Sequence, residues 1–466
     1  MNKLSLITLA CCSVLSACSL LPTYERPAAP IATQWPGQTA PKLNEKVSTS
    51  RNADVLWKDF FSDTTLQQLI TTALANNRDL RVATLNITQA RAQLGVRRAD
   101  QLPSVNAALS GARTPSNGTI NSAYSAGFSV TAYEFDFFGR VASLKEQALA
   151  QVLASTEARQ TAQIALIATV AQGWLNLLAD EELLAVSRQA LASREESLKL
   201  IELKLQHGAA SELDQRLAQT LLESARVTLA QQQRQRALDE NALVLLLGQS
   251  LSETSQQQLR LQSLQQVKFP EPAAALPSDL LERRPDIRQA EQLLIASNAN
   301  IGAARAAFFP RISLTSSIGS ASNQLAGLFK DGSWGWTLSP QLLLPIFDGG
   351  RNQANLEAAQ TARDIAVAQY EKAIQSAFRE VADALAGRDT LAQQLQANQS
   401  LQHAETERAR LTQLRLDNGV ASQLEWLDAQ RSLFAASQAL VQVRLAMLQN
   451  QIVLYKALGS GVPPSE

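Results

Sequence analysis

Proline placement constrains this chain more than any other feature. No proline occurs from Ser116 to Phe269, nor from Ile346 to Val462. Proline removes a backbone donor and clashes with the preceding helical turn, so uninterrupted helices belong where it is excluded. Aromatic residues make up only 5% of the chain, while Ala, Leu, Gln and Arg abound, a mixture that favours long helices. Ile164, Ile167, Val170, Ala171, Trp174, Leu177 and Leu178 recur at spacings of three and four, which lays one coiled-coil-like seam along a helix. Residues 140–206 and 351–416 read as single helices, each about 100 Å long at about 1.5 Å per residue. Gly208 and Gly419 break them. Shorter helices then run to Leu247 and Leu458 and stop before Gly248 and Gly459, where C-cap glycines belong.

The pattern occurs twice. Asn77-Arg78-Asp79-Leu80-Arg81 matches Arg284-Pro285-Asp286-Ile287-Arg288, and Leu102-Pro103-Ser104-Val105 matches Phe309-Pro310-Arg311-Ile312, both with a shift of 207 residues. Gly139-Arg140 and Gly350-Arg351, Gly208-Ala209-Ala210-Ser211 and Gly419-Val420-Ala421-Ser422, and Leu247-Gly248 and Leu458-Gly459 match with a shift of 211. Residues 61–266 therefore form a first repeat and 267–459 a second, with 460–466 as a tail. Each repeat reads as a helix (65–100; 278–307), two strands (104–113 and 123–137; 311–320 and 333–347), the long helix and a further helix.

The strand patches carry the membrane signal. Tyr124, Ala126, Phe128, Val130 and Ala132 alternate with Ser125, Gly127, Ser129 and Thr131; Trp334, Trp336, Leu338 and Leu342 alternate with Gly335, Thr337, Ser339 and Gln341. Such alternation suits a transmembrane strand with a lipid face and a polar lumen face, and also a half-buried strand of a soluble sandwich. No stretch reads as long and apolar enough for a transmembrane helix, so a closed strand barrel is the expected spanning structure. Four strands do not close a barrel. Two chains would supply eight and three would supply twelve, and spacing alone does not choose.

The N-terminus reads as an export signal: Met1-Asn2-Lys3, an apolar run from Leu4 to Leu15, then Ser16-Ala17-Cys18. Leu15-Ser16-Ala17-Cys18 is similar to a bacterial lipobox. Residues 1–17 are then a signal peptide, and Cys18 carries the covalent lipid, N-acyl and S-diacylglycerol. Residues 18–60 form a lipidated extension rich in proline (Pro22, Pro27, Pro30, Pro36, Pro41). With Cys11 and Cys12 removed, Cys18 has no partner for an intrachain disulfide. Ser19 lacks the aspartate that retains such lipoproteins in the inner membrane.

Other function classes find little support. Lys plus Arg (42) equals Asp plus Glu (42), so the basic excess of a nucleic-acid binder is missing. His207 and His403 stand far apart without cysteine partners, which disfavours zinc. No P-loop or dinucleotide-binding motif appears. Met1 and Met447 are the only methionines, so a methionine-lined copper path is unsupported. The expectation is a chain that is not an enzyme and has no cofactor other than its lipid.

Together these features resemble the TolC-like outer membrane factor family, and within it the NodT/OprM-like lipoproteins of RND-type multidrug efflux. The resemblance covers essentially the whole mature chain. It rests on the lipobox, Pro22-Thr23-Tyr24-Glu25-Arg26-Pro27, the paired repeats, Glu282-Arg283-Arg284-Pro285-Asp286-Ile287, Phe347-Asp348-Gly349-Gly350-Arg351 and Leu427-Asp428-Ala429-Gln430. It implies a mainly α fold with membrane β: a homotrimer whose four strands per chain form a twelve-stranded barrel in the outer membrane, above a long coiled-coil helical tunnel in the periplasm. It implies outer-membrane lipids, a periplasmic membrane fusion (adaptor) protein and an inner-membrane RND-type pump as partners, and a passive conduit for small molecules and drugs. The alternative is a periplasmic helical-hairpin adaptor, which needs lipoyl-like β modules that the sequence does not show.

In a conduit the chemistry is gating. The turns after Gly208 and Gly419 are expected at the end opposite the strands, with Glu212 and Asp214 on one and Glu425 and Asp428 on the other. Glu425 and Asp428 are three apart and share a helix face. Threefold symmetry would make each a ring of carboxylates, which favours cations; acids at a helix start also simply suit its dipole. By resemblance, Glu425 and Asp428 line the periplasmic aperture, and Asp214 and Arg431 take part in polar links that hold it shut. Leu424 is expected to add an apolar constriction. Ala421 stands where some relatives carry a basic linking residue.

Overall fold

The computed structural model describes residues 20–32, 35, 56–116, 118–270 and 280–459. The expected signal peptide, Cys18 and the tail 460–466 lie outside the described residues. Among the described residues, ten α-helices and four strands follow in order: α1 Trp57–Phe60, α2 Thr64–Asn76, α3 Arg78–Ala99, β1 Val105–Ser116, β2 Thr119–Phe135, α4 Arg140–Gln206, α5 Glu212–Leu247, α6 Glu253–Leu261, α7 Leu280–Arg283, α8 Pro285–Ala306, β3 Arg311–Ser322, β4 Trp334–Leu343, α9 Arg351–Asp417 and α10 Gln423–Ala457. They group into two compact units that cut across the repeats. One holds the chain up to Ala29 with Thr84–Glu157 and Arg288–Ala373; the other holds Pro30–Ala83, Ala158–Ile287 and Ile374 onward.

The first unit is built on an antiparallel sheet of order β1-β2-β3-β4. Register sorts its side chains into rows. Ala107, Phe128, Ile318 and Trp336 lie abreast, as do Leu109, Ala126, Ser320 and Trp334. The intervening rows are Asn106, Ser129, Ser317 and Thr337, and Ala108, Gly127, Gly319 and Gly335. One face is thus apolar and the other small or polar, because successive side chains point to opposite faces. Ser110 and Ser125 share a hydrogen bond of 2.7 Å across the small face, and so do Ser317 and Thr337. Leu109, Phe128, Trp334 and Trp336 are all exposed. The alternation expected through Ala132 breaks at a bulge between Val130 and Tyr133. Ala132 takes a φ of 51° there. The extra residue moves the phase by one place, so Tyr133 and Phe135 continue the aromatic face and meet edge to face at 5.3 Å.

Charge and capping fix the sheet to its helices. Glu134 accepts from Arg140 at 2.8 and 2.7 Å and pairs with Arg311 at 2.6 Å, joining the end of β2 to the starts of α4 and β3. Asp136 accepts from the N–H groups of Val141 and Ala142, and Asp348 from those of Gly350 and Asn352; these bonds satisfy donors that a helix start leaves free. The proline-rich leader is tied along α8. Arg26 grips Glu291 with two bonds of 2.7 and 2.6 Å, and Tyr24 donates to the same carboxylate at 3.0 Å. Asn298 donates to the Pro22 carbonyl at 2.9 Å. A Cβ on Gly302 would stand 3.1 Å from the Leu21 Cα. From Arg26 back to Leu21 the leader therefore climbs α8 toward its C-terminal end, which feeds β3.

The second unit holds the main core. All seven residues of the expected seam, from Ile164 to Leu178, are buried. The six from Ile167 to Leu178 pack with Leu69, Ile70, Leu243, Leu247 and Ile452, and with an aromatic group in which Phe60 stacks on Tyr455 at 4.0 Å and on Phe269 at 5.4 Å. This corrects the membrane-helix expectation: α4 does contain a stretch long and apolar enough to cross a membrane, and that stretch is mostly buried in protein. The helix expected over 65–100 is two, broken at Asn77. The Asn77 side chain accepts from the Leu80 N–H at 2.9 Å and donates to the Leu246 carbonyl at 3.0 Å. Its counterpart in the second repeat, Arg284, donates to the Ala457 carbonyl at 3.0 Å and pairs with Asp286 and Glu380. That repeat is broken at the same place, giving α7 and α8.

Asp180 is a buried acid in this unit, 4% exposed. Burial, and then the hydrogen-bonded Asp239 carboxylate, push its pKa up to about 7. A raised native pKa adds stability that is present at low pH and lost as pH rises through the native value. Asp180→Asn should therefore raise the melting temperature substantially more at about pH 8 than at about pH 5, because the loss begins near the unfolded aspartate value of about 3.9 and is complete only above the native value. Circular dichroism melts of the purified protein check this, and equal shifts at both values would count against a protonated Asp180.

Candidate gate

The expected gate residues sit on two helical hairpins of the second unit. Each hairpin turns on a left-handed glycine, Gly208 with φ 73° and Gly419 with φ 71°, a conformation that other residues adopt only with strain. In both turns the carbonyl five residues earlier is recaptured: Ala209 N–H donates to Lys204 at 2.7 Å and Val420 N–H to Arg415 at 2.9 Å. Each following helix starts on a serine cap. Ser211 accepts from the Asp214 N–H, and the Asp214 carboxylate accepts from the Ser211 N–H at 3.0 Å and hydroxyl at 2.7 Å. Ser422 accepts from the Glu425 N–H at 3.2 Å and donates to its carboxylate at 3.3 Å. Asp214 and Glu425 are thus counterparts at the third position of their helices.

This assigns Asp214 a local task. The Ser211 hydroxyl and N–H hold its carboxyl below the ordinary aspartate range. Its partner in the structure is Ser211, and Arg431 pairs elsewhere. Leu424 is 57% exposed at the α10 start, beside Glu425, which is exposed as well.

Asp428 is the anchored acid. Arg408 on α9 donates to it at 2.6 Å, and Arg431, one turn along α10, donates to its other oxygen. Arg408 also reaches Glu405 at 3.1 Å and the Ser432 hydroxyl at 3.4 Å. The Arg408 hydrogen bond is the main reason that the Asp428 carboxyl titrates below its usual range. Sequence reasoning missed Arg408 because it looked for neighbours three and four apart. The signal was there: Arg408 and Asp428 are equidistant from Asn418 at the turn, and antiparallel helices bring such positions together. The turn's inner side is sealed by Ile201, Ala218 and Leu427. Opposite charges thus join α9 to α10 across the hairpin, on a surface exposed to solvent.

Comparison with known proteins follows the same architecture. The sequence matches the family described as outer membrane efflux protein over residues 69–249 and 276–460. It is 47% identical over 471 residues to the probable efflux pump outer membrane protein TtgC of Pseudomonas putida, covering 98% of this chain and 96% of that one. It is 46% identical to the outer membrane protein OprJ of Pseudomonas aeruginosa, covering 96% and 94%. Among solved structures, the open state of the Neisseria gonorrhoeae MtrE outer membrane channel superposes with a TM-score of 0.84 at 39% identity, over 95% of this chain and 98% of that one. These matches run through both repeats and set aside the adaptor alternative. The chain belongs to the outer membrane efflux protein family and is the outer-membrane exit duct of an efflux system.

Proposed function

We propose that three copies of this chain pool their strands into one twelve-stranded barrel, and that the trimer is a passive, non-enzymatic conduit with its gate at Asp428. The observation that carries this reading is the sheet. Its apolar rows are exposed, its other face is small and polar, and its outer strands β1 and β4 each keep one edge without a partner among the described residues. Unpaired strand edges are not tolerated in hydrocarbon, so the edges call for other copies. Outer-membrane extracts run unheated in SDS should migrate as a trimer and collapse to the 50.5 kDa scale of one chain on boiling. Migration as a single chain before heating would overturn the pooled barrel.

In this reading the duct continues a periplasmic adaptor and an inner-membrane pump of the RND type, which supply the energy. The Arg408–Asp428–Arg431 lock keeps the hairpin shut at rest, with Glu425 and Leu424 narrowing the aperture. Docked partners open it by separating α9 from α10.

The lipid anchor at Cys18 is part of the same proposal. The leader's course along α8 supports it, since from Arg26 back to Leu21 the described chain heads toward the end of α8 that feeds the strands. Cys18→Ala should abolish incorporation of labelled palmitate. Retained labelling would place the lipid elsewhere.

A further inference from the structure

A groove lies on the same helices as the lock. It encloses about 380 Å³ between α4, α9 and α10, with Ser193, Arg194, Thr406, Trp426, Gln430 and Phe434 among its walls. That volume falls in the range of small-molecule sites. Arg194 is only 5% exposed. Its Nη1 donates to the Leu221 carbonyl at 2.9 Å, and its guanidinium lies 5.2 Å over the Phe434 ring. Among the described residues no carboxylate is paired with it; burial alone acts on it, lowering its pKa. Arg284, the other buried arginine, has two carboxylates. A buried charge is normally paired, so Arg194 lacks the anion that a buried arginine ordinarily has. Gln430 donates to the Ser193 hydroxyl at 2.5 Å, which leaves its own Oε1 buried without a partner.

We propose that this groove binds a small amphiphilic organic anion, its carboxylate on Arg194 and its apolar body between Trp426 and Phe434. Charge selects the occupant: a neutral molecule would leave the guanidinium uncompensated, and a cation would be repelled. The Gln430 Oε1 accepts a donor from ligands that carry a hydroxyl or amide. The site stands on its own geometry, and its effect on conduction rests on the gate reading above. Thr406 is two residues from Arg408, and Trp426 two from Asp428. An occupant spanning α4, α9 and α10 therefore binds the locked hairpin more tightly than the parted one, and by linkage holds it shut.

The test is calorimetric titration of the full-length trimer in non-ionic detergent with 2-naphthoate and with its neutral analogue 2-naphthalenemethanol, each corrected for partition into detergent alone. Naphthoate should bind at least about tenfold more tightly, the scale of one charge-assisted hydrogen bond. Arg194→Gln should erase that preference. Ser193→Trp, which fills the groove and keeps the charge, should remove binding of both. Equal affinities in the wild type, no binding because a neighbouring subunit fills the groove, or a preference that survives either variant would overturn the site. If Arg194→Gln does not fold, Ser193→Trp decides. In a planar bilayer naphthoate should lower wild-type conductance and leave Ser193→Trp unaffected. Binding without that change would overturn the coupling to the lock and leave the site standing.

Discussion

Gly127→Ala should abolish assembly of the sheet, so that no heat-modifiable trimer reaches the outer membrane. A Cβ at Gly127 would stand 2.3 Å from the Ile318 carbonyl oxygen and 2.7 Å from the Gly319 Cα; a Cβ at Gly319 would stand 2.3 Å from the Ala126 carbonyl. All three are backbone atoms of the neighbouring strand, so no side chain can swing aside. Relief requires β2 and β3 to part, which costs their hydrogen bonds and exceeds the ~1–3 kcal/mol typical of overpacking. Gly335 ends the same row of small residues, but its Cβ would meet nothing in the chain. Gly335→Ala should therefore assemble normally. Outer-membrane fractions compared with and without heating read both variants, and normal trimers of Gly127→Ala would show that the close approach of β2 and β3 is not required.

Removing both arginines of the lock should have the largest effect on function. In Arg408→Ala with Arg431→Ala, Asp428 keeps its charge and loses both partners. Three such carboxylates around an axis repel one another, so the ends of the hairpins spread. Cells carrying the double variant should become sensitive to antibiotics too large for ordinary porins, while the amount of trimer is unchanged. Both arginines are exposed at the surface, so folding should survive. The pH dependence follows from Asp428. Its native pKa is depressed, so the lock's contribution is present above the ordinary aspartate value of about 3.9 and is lost as pH falls through the lower native value. Wild-type closure should therefore hold through mildly acidic conditions.

Much of this arrangement was legible in the residues. The long helix expected over 140–206 is α4, Arg140–Gln206, because proline exclusion and a left-handed glycine are strong, local signals. Where the sequence reading went astray, tertiary contacts decided. The bulge at Ala132 carries no glycine or proline to mark it. Asn77 caps the next helix at Leu80 and is held in place by the distant Leu246 carbonyl. Asp214 closes a capping box with Ser211, a local pairing already legible in Ser211-Glu212-Leu213-Asp214. Arg194, followed by Glu195 and Glu196, resembles any solvated stripe; only the packing of α10 against α4 shows that it is buried.

The most direct measurement is ion conductance of purified trimers reconstituted in planar bilayers at neutral pH. A closed duct with an Asp428 lock predicts small, brief steps from the wild type and steps several times larger from Arg408→Ala with Arg431→Ala. A wild type that conducts fully at rest, or a double variant that conducts no better than the wild type, would contradict it.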